Sequence, residues 1–259
     1  MPFSDLFYIA QWWLTIFVIG IIFLPLTSRI FSIFFDKGYI FSKIIGITLV
    51  SYIVFILGIL KIQPFNIVIV LIVLIGFSTI NLYLISQYPN IFISFKRSFK
   101  ILFLEEVLFA AVLIFWSFIH AHAPDIHGLE KYMDFGFINS ILRSEYFPPL
   151  DMWLTPFSIN YYYFGHLVTA VLTKISLLPS NITYNLMLAT ISGFTFAGSF
   201  SIGANLIVRI KNQESRIKVI FCGFLTAFIV AFVRNLHTVY TFFKPYENEK
   251  PVPFWQLPF

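Results

Sequence analysis

The chain has few charged residues and almost no cysteine, and both shortages limit what kind of protein it is. Only 11% of its 259 residues are Asp, Glu, Lys or Arg, whereas 59% are hydrophobic and 20% are aromatic. Soluble domains carry about 25% charged residues, so an ordinary soluble domain is excluded. The single cysteine, Cys222, lies in an apolar run, which excludes an internal disulfide and any cysteine-based metal site.

Other common features are also missing from the sequence. It contains no internal repeat, no low-complexity linker and no glycine-rich phosphate loop, and its length leaves no room for a second soluble domain. The net charge of +5 comes from 17 basic residues scattered in short clusters between apolar runs. Such clusters indicate membrane topology and contact with anionic lipid. Membrane lipids are therefore the expected partners, and nucleic acid is not.

Several apolar runs reach about 20 residues, the length that crosses ~30 Å of hydrocarbon as a helix. The expected fold is an all-α polytopic membrane protein with about six transmembrane helices. The predicted spans cover residues 6–27, 41–60, 64–85, 101–119, 184–208 and 219–233. These spans predict one membrane domain: four spans in 1–119, a loop in 120–181, two spans in 182–234 and an aromatic, proline-rich tail in 235–259.

Basic residues give the predicted orientation of these spans. Ten of the 17 fall in three short connections, which the positive-inside rule places in the cytoplasm. They are Arg29, Lys37, Lys43, Lys96, Lys100, Arg97, Arg209, Arg216, Lys211 and Lys218. This assignment requires that residues 166–178, a 13-residue segment carrying Lys174, do not cross. We therefore predict an interfacial helix there, inside a large extracytoplasmic loop.

Residues 120–166 form the only long polar interval, with four of the five histidines and five of the twelve acidic residues. We predict a helix over 129–144, on which Glu130 and Asp134 share one face. A neighbouring apolar stripe, Met133, Phe137 and Ile141, is expected to lie on the membrane surface. Paired carboxylates suit a general base or a divalent cation beside a phosphate. Alternatively, Glu130 pairs with Lys131 or Arg143, and Asp134 is merely solvated.

A second polar group closes the interval. Asn160, Tyr161, Tyr162, Tyr163 and His166 offer hydroxyls and aromatic faces that a sugar or a polyprenyl phosphate could contact. An interfacial aromatic belt is the alternative interpretation of the tyrosines.

Two further groups of acidic residues and histidines each have a functional and a structural interpretation. Asp125 and His127 could bind a metal ion together with nearby histidines, but their spacing matches no zinc motif and interfacial histidine is common. Glu105 and Glu106 lie in the first turn of the fourth predicted span, where an ionisable group suggests function. An interfacial ion pair with the neighbouring basic segment is the alternative.

The strings EKYMDFGFINSILRSEYFPPLDMW and INYYYFGH resemble the signature of the YYY-motif (chlor-arch YYY) membrane proteins, a multi-pass family named for its tyrosine triplet. That family is in turn similar in layout to the GT-C superfamily of glycosyltransferases. Those enzymes have an acid early in the first large outer loop, then a short helix, a proline-rich segment and an interfacial helix. The resemblance implies that Glu130 is the catalytic base and that Asp134 is its neighbour or its metal partner.

The predicted function is therefore transfer of a sugar from a polyprenyl-phosphate donor by a GT-C-like glycosyltransferase, with a divalent cation as a possible cofactor. Lys131, Arg143 and Lys174 are expected to neutralise or contact the donor. The expected location is a prokaryotic plasma membrane, with the active face outside. Transport, lipid flipping and a non-catalytic scaffold are the alternatives. The chain ends without an evident closing element, so we expect a fragment of a longer protein.

Overall fold

A computed structural model describes residues 3–87, 91–210 and 216–233, and within them it contains eight helices and no β-strand. The helices are α1 (Phe3–Ile30), α2 (Tyr39–Ile59), α3 (Ile67–Gln87), α4 (Ile91–His122), α5 (Leu129–Arg143), α6 (Phe164–Ser176), α7 (Ser180–Ile210) and α8 (Arg216–Phe232). Their long apolar sequences form helices because a helix satisfies its own backbone hydrogen bonds in lipid. The predicted tail, 235–259, lies outside the described residues.

Five of these helices, α1, α2, α3, α4 and α7, are long and apolar enough to cross a membrane. The expectation of six therefore differs by one. The sixth predicted span corresponds to α8, which has 17 residues and is apolar. At 1.5 Å per residue α8 measures roughly 25 Å, somewhat less than a hydrocarbon core of ~30 Å. The protein is a multi-pass integral membrane protein.

The helices pack around one large core, with smaller clusters beside it. α1 packs on α2, and α7 packs on both α4 and α8. The core contains Trp12, Phe109 and Leu167, which are fully buried. Trp12 also donates its indole hydrogen bond to the Thr190 hydroxyl at 2.8 Å, and this buried contact joins α1 to α7.

All three of the basic connections predicted by the positive-inside rule contain residues that lie in helices. α4 begins at Ile91, so Lys96, Arg97 and Lys100 belong to that helix and not to a connection. Lys43 lies one turn inside α2 and is 1% exposed. The prediction failed because the positive-inside rule counts basic residues without considering a buried partner, and Lys43 has one.

The polar interval folds at one end of the bundle, which we name the loop end. α5 begins at Leu129 as predicted and ends at Arg143. α6, at 13 residues, is too short to cross, but it is packed against α1, α2, α3 and α7. The α2–α3 connection is tied to the same end, because the Phe65 N–H donates to the Glu145 carbonyl at 2.6 Å.

Candidate functional site

Two neighbouring helices bring the predicted site residues together at the loop end. α5 carries Glu130 and Asp134 near its start, and α6 carries His166 in its first turn. The His166 Nε2 atom lies 3.0 Å from Asp134 Oδ1, across 32 residues of sequence. This contact turns two separately predicted residues into one pair.

The His166 ring is held firmly on several sides. Phe137 meets it edge to face, with ring centroids 5.4 Å apart. The His166 side chain is 15% exposed, and its buried Nδ1 atom has no hydrogen-bond partner among the described residues. Asp134 is 35% exposed and fixes the ring orientation through Nε2. This contact therefore fixes the positions of both side chains, and one oxygen of the Asp134 carboxylate is already engaged by His166.

Glu130 differs from Asp134 in its surroundings. It is exposed, and within the described residues it forms no ion pair, so the predicted alternative of a salt bridge to Lys131 or Arg143 is wrong. An exposed carboxylate without a basic partner keeps both oxygens available for a ligand or a proton. Of the two acids, Glu130 is the one whose carboxylate is not engaged by another described side chain.

The tyrosine triplet borders the same carboxylates. The Tyr161 hydroxyl donates to the Tyr162 hydroxyl at 2.7 Å, and the two rings lie with centroids 3.9 Å apart. The pKa of Tyr161 is raised above its ordinary value, first by this hydrogen bond and further by the negative charges of Glu130 and Asp134. Tyr161 therefore lies within electrostatic range of both acids. We name Glu130, Asp134, Tyr161 and His166 the loop-end site.

The other two members of the predicted aromatic group have different surroundings. Tyr163 packs its ring on Phe55, 6.1 Å between centroids, and burial raises its pKa. Asn160 is exposed beside Tyr161. Tyr163 is thus a packing residue at the start of α6, whereas Tyr161, Tyr162 and Asn160 remain available at the surface.

The three predicted cations do not gather around Glu130. Arg143 lies 13 residues further along α5, roughly 20 Å away at 1.5 Å per residue. It lines a separate cavity of about 560 Å³ with Glu145 and Asp151. The Lys174 ammonium lies 4.6 Å from the Phe65 ring centroid, and burial lowers its pKa. Only Lys131, next to Glu130 in α5, is close in position.

A cavity of about 290 Å³ lies at the loop end, and six of its lining side chains are polar. It lies between the loop-end portions of α1, α4 and α7. His120 lines the cavity, and Lys131 in the first turn of α5 lies within electrostatic range of His120. The Ser117 hydroxyl at the cavity wall is buried and has no hydrogen-bond partner among the described residues. Its polar lining is Asp5, Tyr8, Ser117, His120, Asn181 and Asn185.

The expected metal ligands are not grouped together. The His127 Nδ1 atom contacts the Tyr132 hydroxyl at 2.5 Å, and Asp125 is exposed. No cluster of three or more His, Cys, Asp or Glu side chains that could hold a metal occurs in 3–87, 91–210 or 216–233. Asp125 and His127 thus do not form a metal site by themselves.

The predicted apolar stripe on α5 packs against protein and not against lipid. Phe137 is 3% exposed and Ile141 is fully buried, because α6 covers this face of α5. The expectation that the stripe lies on the membrane surface is therefore wrong. Sequence spacing identifies an apolar face, but it does not say whether lipid or another helix covers it.

A second polar group, far from the loop end, was largely missed from the sequence. Asp36, Lys43, Glu105 and Glu106 are all buried where α2, α4, α7 and the α1–α2 connection meet, and we name them the buried charge cluster. Glu106 pairs with Lys43 of α2. The available signal was the presence of Glu105 and Glu106 inside a predicted span.

The fold and these two polar regions define a helical, multi-pass membrane protein with a structured polar loop at one end. Comparison with family models gives the family: residues 47–256 match the family described as "Uncharacterized membrane protein (DUF2298)", and the chain belongs to it. No curated protein and no solved structure matches the chain.

Proposed function

We propose that the protein is a GT-C-like glycosyltransferase that moves a sugar from a polyprenyl-phosphate donor at the membrane surface where the loop end lies. The observation that carries the proposal is Glu130, an exposed carboxylate that forms no ion pair with a described residue and lies within electrostatic range of Tyr161. The resemblance of residues 130–166 to the YYY-motif proteins supports the same assignment. The proposed location is the outer face of a prokaryotic plasma membrane.

In this proposal Glu130 is the general base. It takes the proton from an acceptor hydroxyl while the acceptor oxygen attacks the anomeric carbon of the donor sugar. The bond from that carbon to the phosphate oxygen breaks, and polyprenyl phosphate leaves with the electron pair. General bases of this kind contribute roughly 10²–10⁴-fold to rate. The released proton ends on Glu130 and passes to water, because this side chain is exposed.

The remaining loop-end residues hold substrate and base in place. Asp134 fixes the His166 ring at 3.0 Å, and Phe137 supports that ring from the side. Tyr161 and Tyr162 present aromatic faces and hydroxyls, which suit a sugar ring or the first part of a lipid chain. Lys131 is the cation best placed to accompany a phosphate at this site, and the proposal does not require Arg143 or Lys174.

The polar cavity is the proposed sugar-binding space. Amide, hydroxyl, imidazole and carboxylate groups line it, and together they offer both donors and acceptors to a polyhydroxyl ligand. Its volume of about 290 Å³ is close to the lower limit for ordinary ligand pockets, which span roughly 300–1,000 Å³. The buried Ser117 hydroxyl would gain a partner when a sugar enters.

The proposal is tested with the full-length protein reconstituted in liposomes and a radiolabelled sugar on polyprenyl phosphate. Glu130→Gln should lower sugar transfer by at least ~100-fold, because an amide cannot accept the proton. Glu145→Gln, an exposed acid beyond the opposite end of α5, is the matched control and should keep transfer. Equal transfer by both variants would remove Glu130 as the base and would favour a non-catalytic scaffold.

Ion-coupled transport is a second candidate, favoured by the buried charge cluster, because ionisable groups inside a membrane often mark transport pathways. However, α4 and α7 run unbroken past the cluster, whereas many transporters interrupt helices at their substrate sites. Ion or lipid flux in the same liposomes that is lost in Glu105→Gln and kept in Glu130→Gln would favour transport.

A further inference from the structure

The buried charge cluster contains two acids, both shielded from water, that lie within interaction range of each other. Asp36 lies in the α1–α2 connection and Glu105 lies in α4, and both are 0% exposed. Each interacts electrostatically with the other. Two carboxylates this close in a poorly polarisable interior repel strongly, so such pairs commonly share a proton. The question is which acid holds the proton.

Asp36 is surrounded by hydrogen-bond donors. The Gly38 N–H donates to Oδ1 at 3.0 Å, and the Asn205 amide donates to Oδ2 at 3.0 Å. The Ser201 hydroxyl also donates to Oδ2. Three donors on one carboxyl group favour its ionised form. Asp36 is therefore the charged member of the pair.

Glu105 has the opposite environment. Neither of its oxygens makes a hydrogen bond of ordinary geometry with a described residue, although Asp36 and the Ile40 N–H lie within interaction range. Burial without donors favours the neutral acid, because ionisation would leave a charge poorly solvated. A protonated Glu105 has one hydrogen-bond donor, and Asp36 is the acceptor that faces it.

The nearby Lys43 ammonium already has a negatively charged partner. Lys43 pairs with Glu106, whose Oε1 accepts from the Trp13 indole at 2.6 Å and whose Oε2 accepts from the Tyr39 hydroxyl at 2.7 Å. The charged and titratable groups facing Glu105 are thus Asp36 from the connection, Lys43 and Tyr39 from α2, and Glu106 from α4. The described part of α7 contributes only the neutral Ser201 and Asn205 here.

We propose that Asp36 and Glu105 form a proton-binding site inside the membrane domain, in which Glu105 holds the proton and donates it to Asp36. The bound proton joins α4 to the α1–α2 connection. That connection is in turn held to α7 by Asn205, which also accepts from the Phe35 N–H at 2.9 Å. Removing the proton would place two negative charges at this junction and would loosen α4 from the connection.

The test is infrared spectroscopy of the full-length protein in lipid at neutral pH. A protonated carboxylic acid gives a C=O stretching band that ionised carboxylates lack, and the band shifts in deuterated water. We expect this band in the wild-type protein. It should disappear in Glu105→Gln and persist in Glu130→Gln, the matched control at the exposed site. Asp36→Asn should shift the band without removing it, because the hydrogen-bond acceptor changes.

A labelling experiment on the wild-type chain gives the same answer without any substitution. Incorporation of ¹³C-glutamate should shift the band, whereas ¹³C-aspartate should not. The proposal is overturned if no such band exists, if the aspartate label shifts it, or if sodium ions abolish it, which would assign the site to a cation in place of a proton.

Discussion

The loop-end site and the buried charge cluster both combine carboxylates with aromatic side chains, yet only the first is open to solvent. At the loop end Glu130 and Tyr161 are exposed, and Glu130 has no ion-pair partner among the described residues. In the buried cluster Glu106 accepts from Trp13, Tyr39 and Lys43. A group with unused hydrogen-bonding capacity at the surface can bind a ligand, whereas a hydrogen-bonded buried pair such as Lys43 and Glu106 holds helices together.

This contrast predicts that substitutions in the two regions will have different consequences. Changes in the buried cluster should reduce the free energy of unfolding. Changes to Glu130 should reduce activity while stability is kept. The following variants test that separation, from the largest expected effect on stability to the smallest.

Lys43→Met should have the largest effect on stability. It leaves the Glu106 carboxylate buried without its cation, and breaking a buried pair costs about 3–5 kcal/mol. Denaturant titration in mixed micelles measures the loss. The double variant Lys43→Met with Glu106→Gln should recover most of it, because Gln is neutral and still accepts a hydrogen bond. A neutral effect of Lys43→Met alone would contradict a structural role for the ion pair.

Gly58→Ala tests how the loop end is anchored to α2. A Cβ at Gly58 would clash with the Phe147 ring, which is 2% exposed. Overpacking of this kind costs about 1–3 kcal/mol. Gly76→Ala is the control, since nothing lies within 4 Å of its Cβ position, and it should gain up to about 1 kcal/mol from helix propensity. The same unfolding titration compares the two, and equal stability would mean that Phe147 moves freely.

The Asp134–His166 pair should contribute less, because both side chains are partly exposed. Asp134→Asn, His166→Ala and the double variant form a cycle from which the coupling energy is obtained. We expect about 0.5–1 kcal/mol, typical of a modest hydrogen bond with solvent access. Sugar transfer should fall in both single variants as the base loses its supporting neighbour. A coupling energy of zero would show that the 3.0 Å contact does not persist in solution.

The smallest effect concerns the ionisation of Tyr161. Its pKa is raised, first by the hydrogen bond to Tyr162 and then by nearby carboxylates. Tyr162→Phe should therefore lower that pKa more than Glu130→Gln does, and both variants should ionise Tyr161 at lower pH than the wild-type protein. Carbon NMR of labelled tyrosine rings, assigned with Tyr161→Phe, follows the titration. If the Tyr161 pKa is the same in Glu130→Gln as in the wild-type protein, Glu130 does not influence the tyrosine triplet electrostatically.

The sequence predicted local features of the loop end well. Helical spacing gave α5 and the shared face of Glu130 and Asp134, because capping and periodicity are properties of neighbouring residues. A short helix was also predicted over residues 166–178, and α6 spans Phe164–Ser176. These predictions did not depend on how distant helices pack.

Contacts between distant residues could not be predicted. The pairing of Asp134 with His166 requires α5 and α6 to meet, and that of Lys43 with Glu106 joins residues 63 apart. Lys43 was interpreted as a loop residue because a lone lysine beside an apolar run resembles a topology signal. Asp36 had no distinguishing pattern at all, since its donors come from the connection itself and from α7.

The central claim is that Glu130 serves chemistry and not the fold, and one paired measurement tests it most directly. Sugar transfer from a polyprenyl-phosphate donor and the unfolding free energy are measured on the same preparation of full-length Glu130→Gln. The account predicts at least ~100-fold slower transfer, as expected for a lost general base, with an unfolding free energy within about 0.5 kcal/mol of wild type. Undiminished transfer, or a loss of transfer accompanied by an equally large loss of stability, would contradict it.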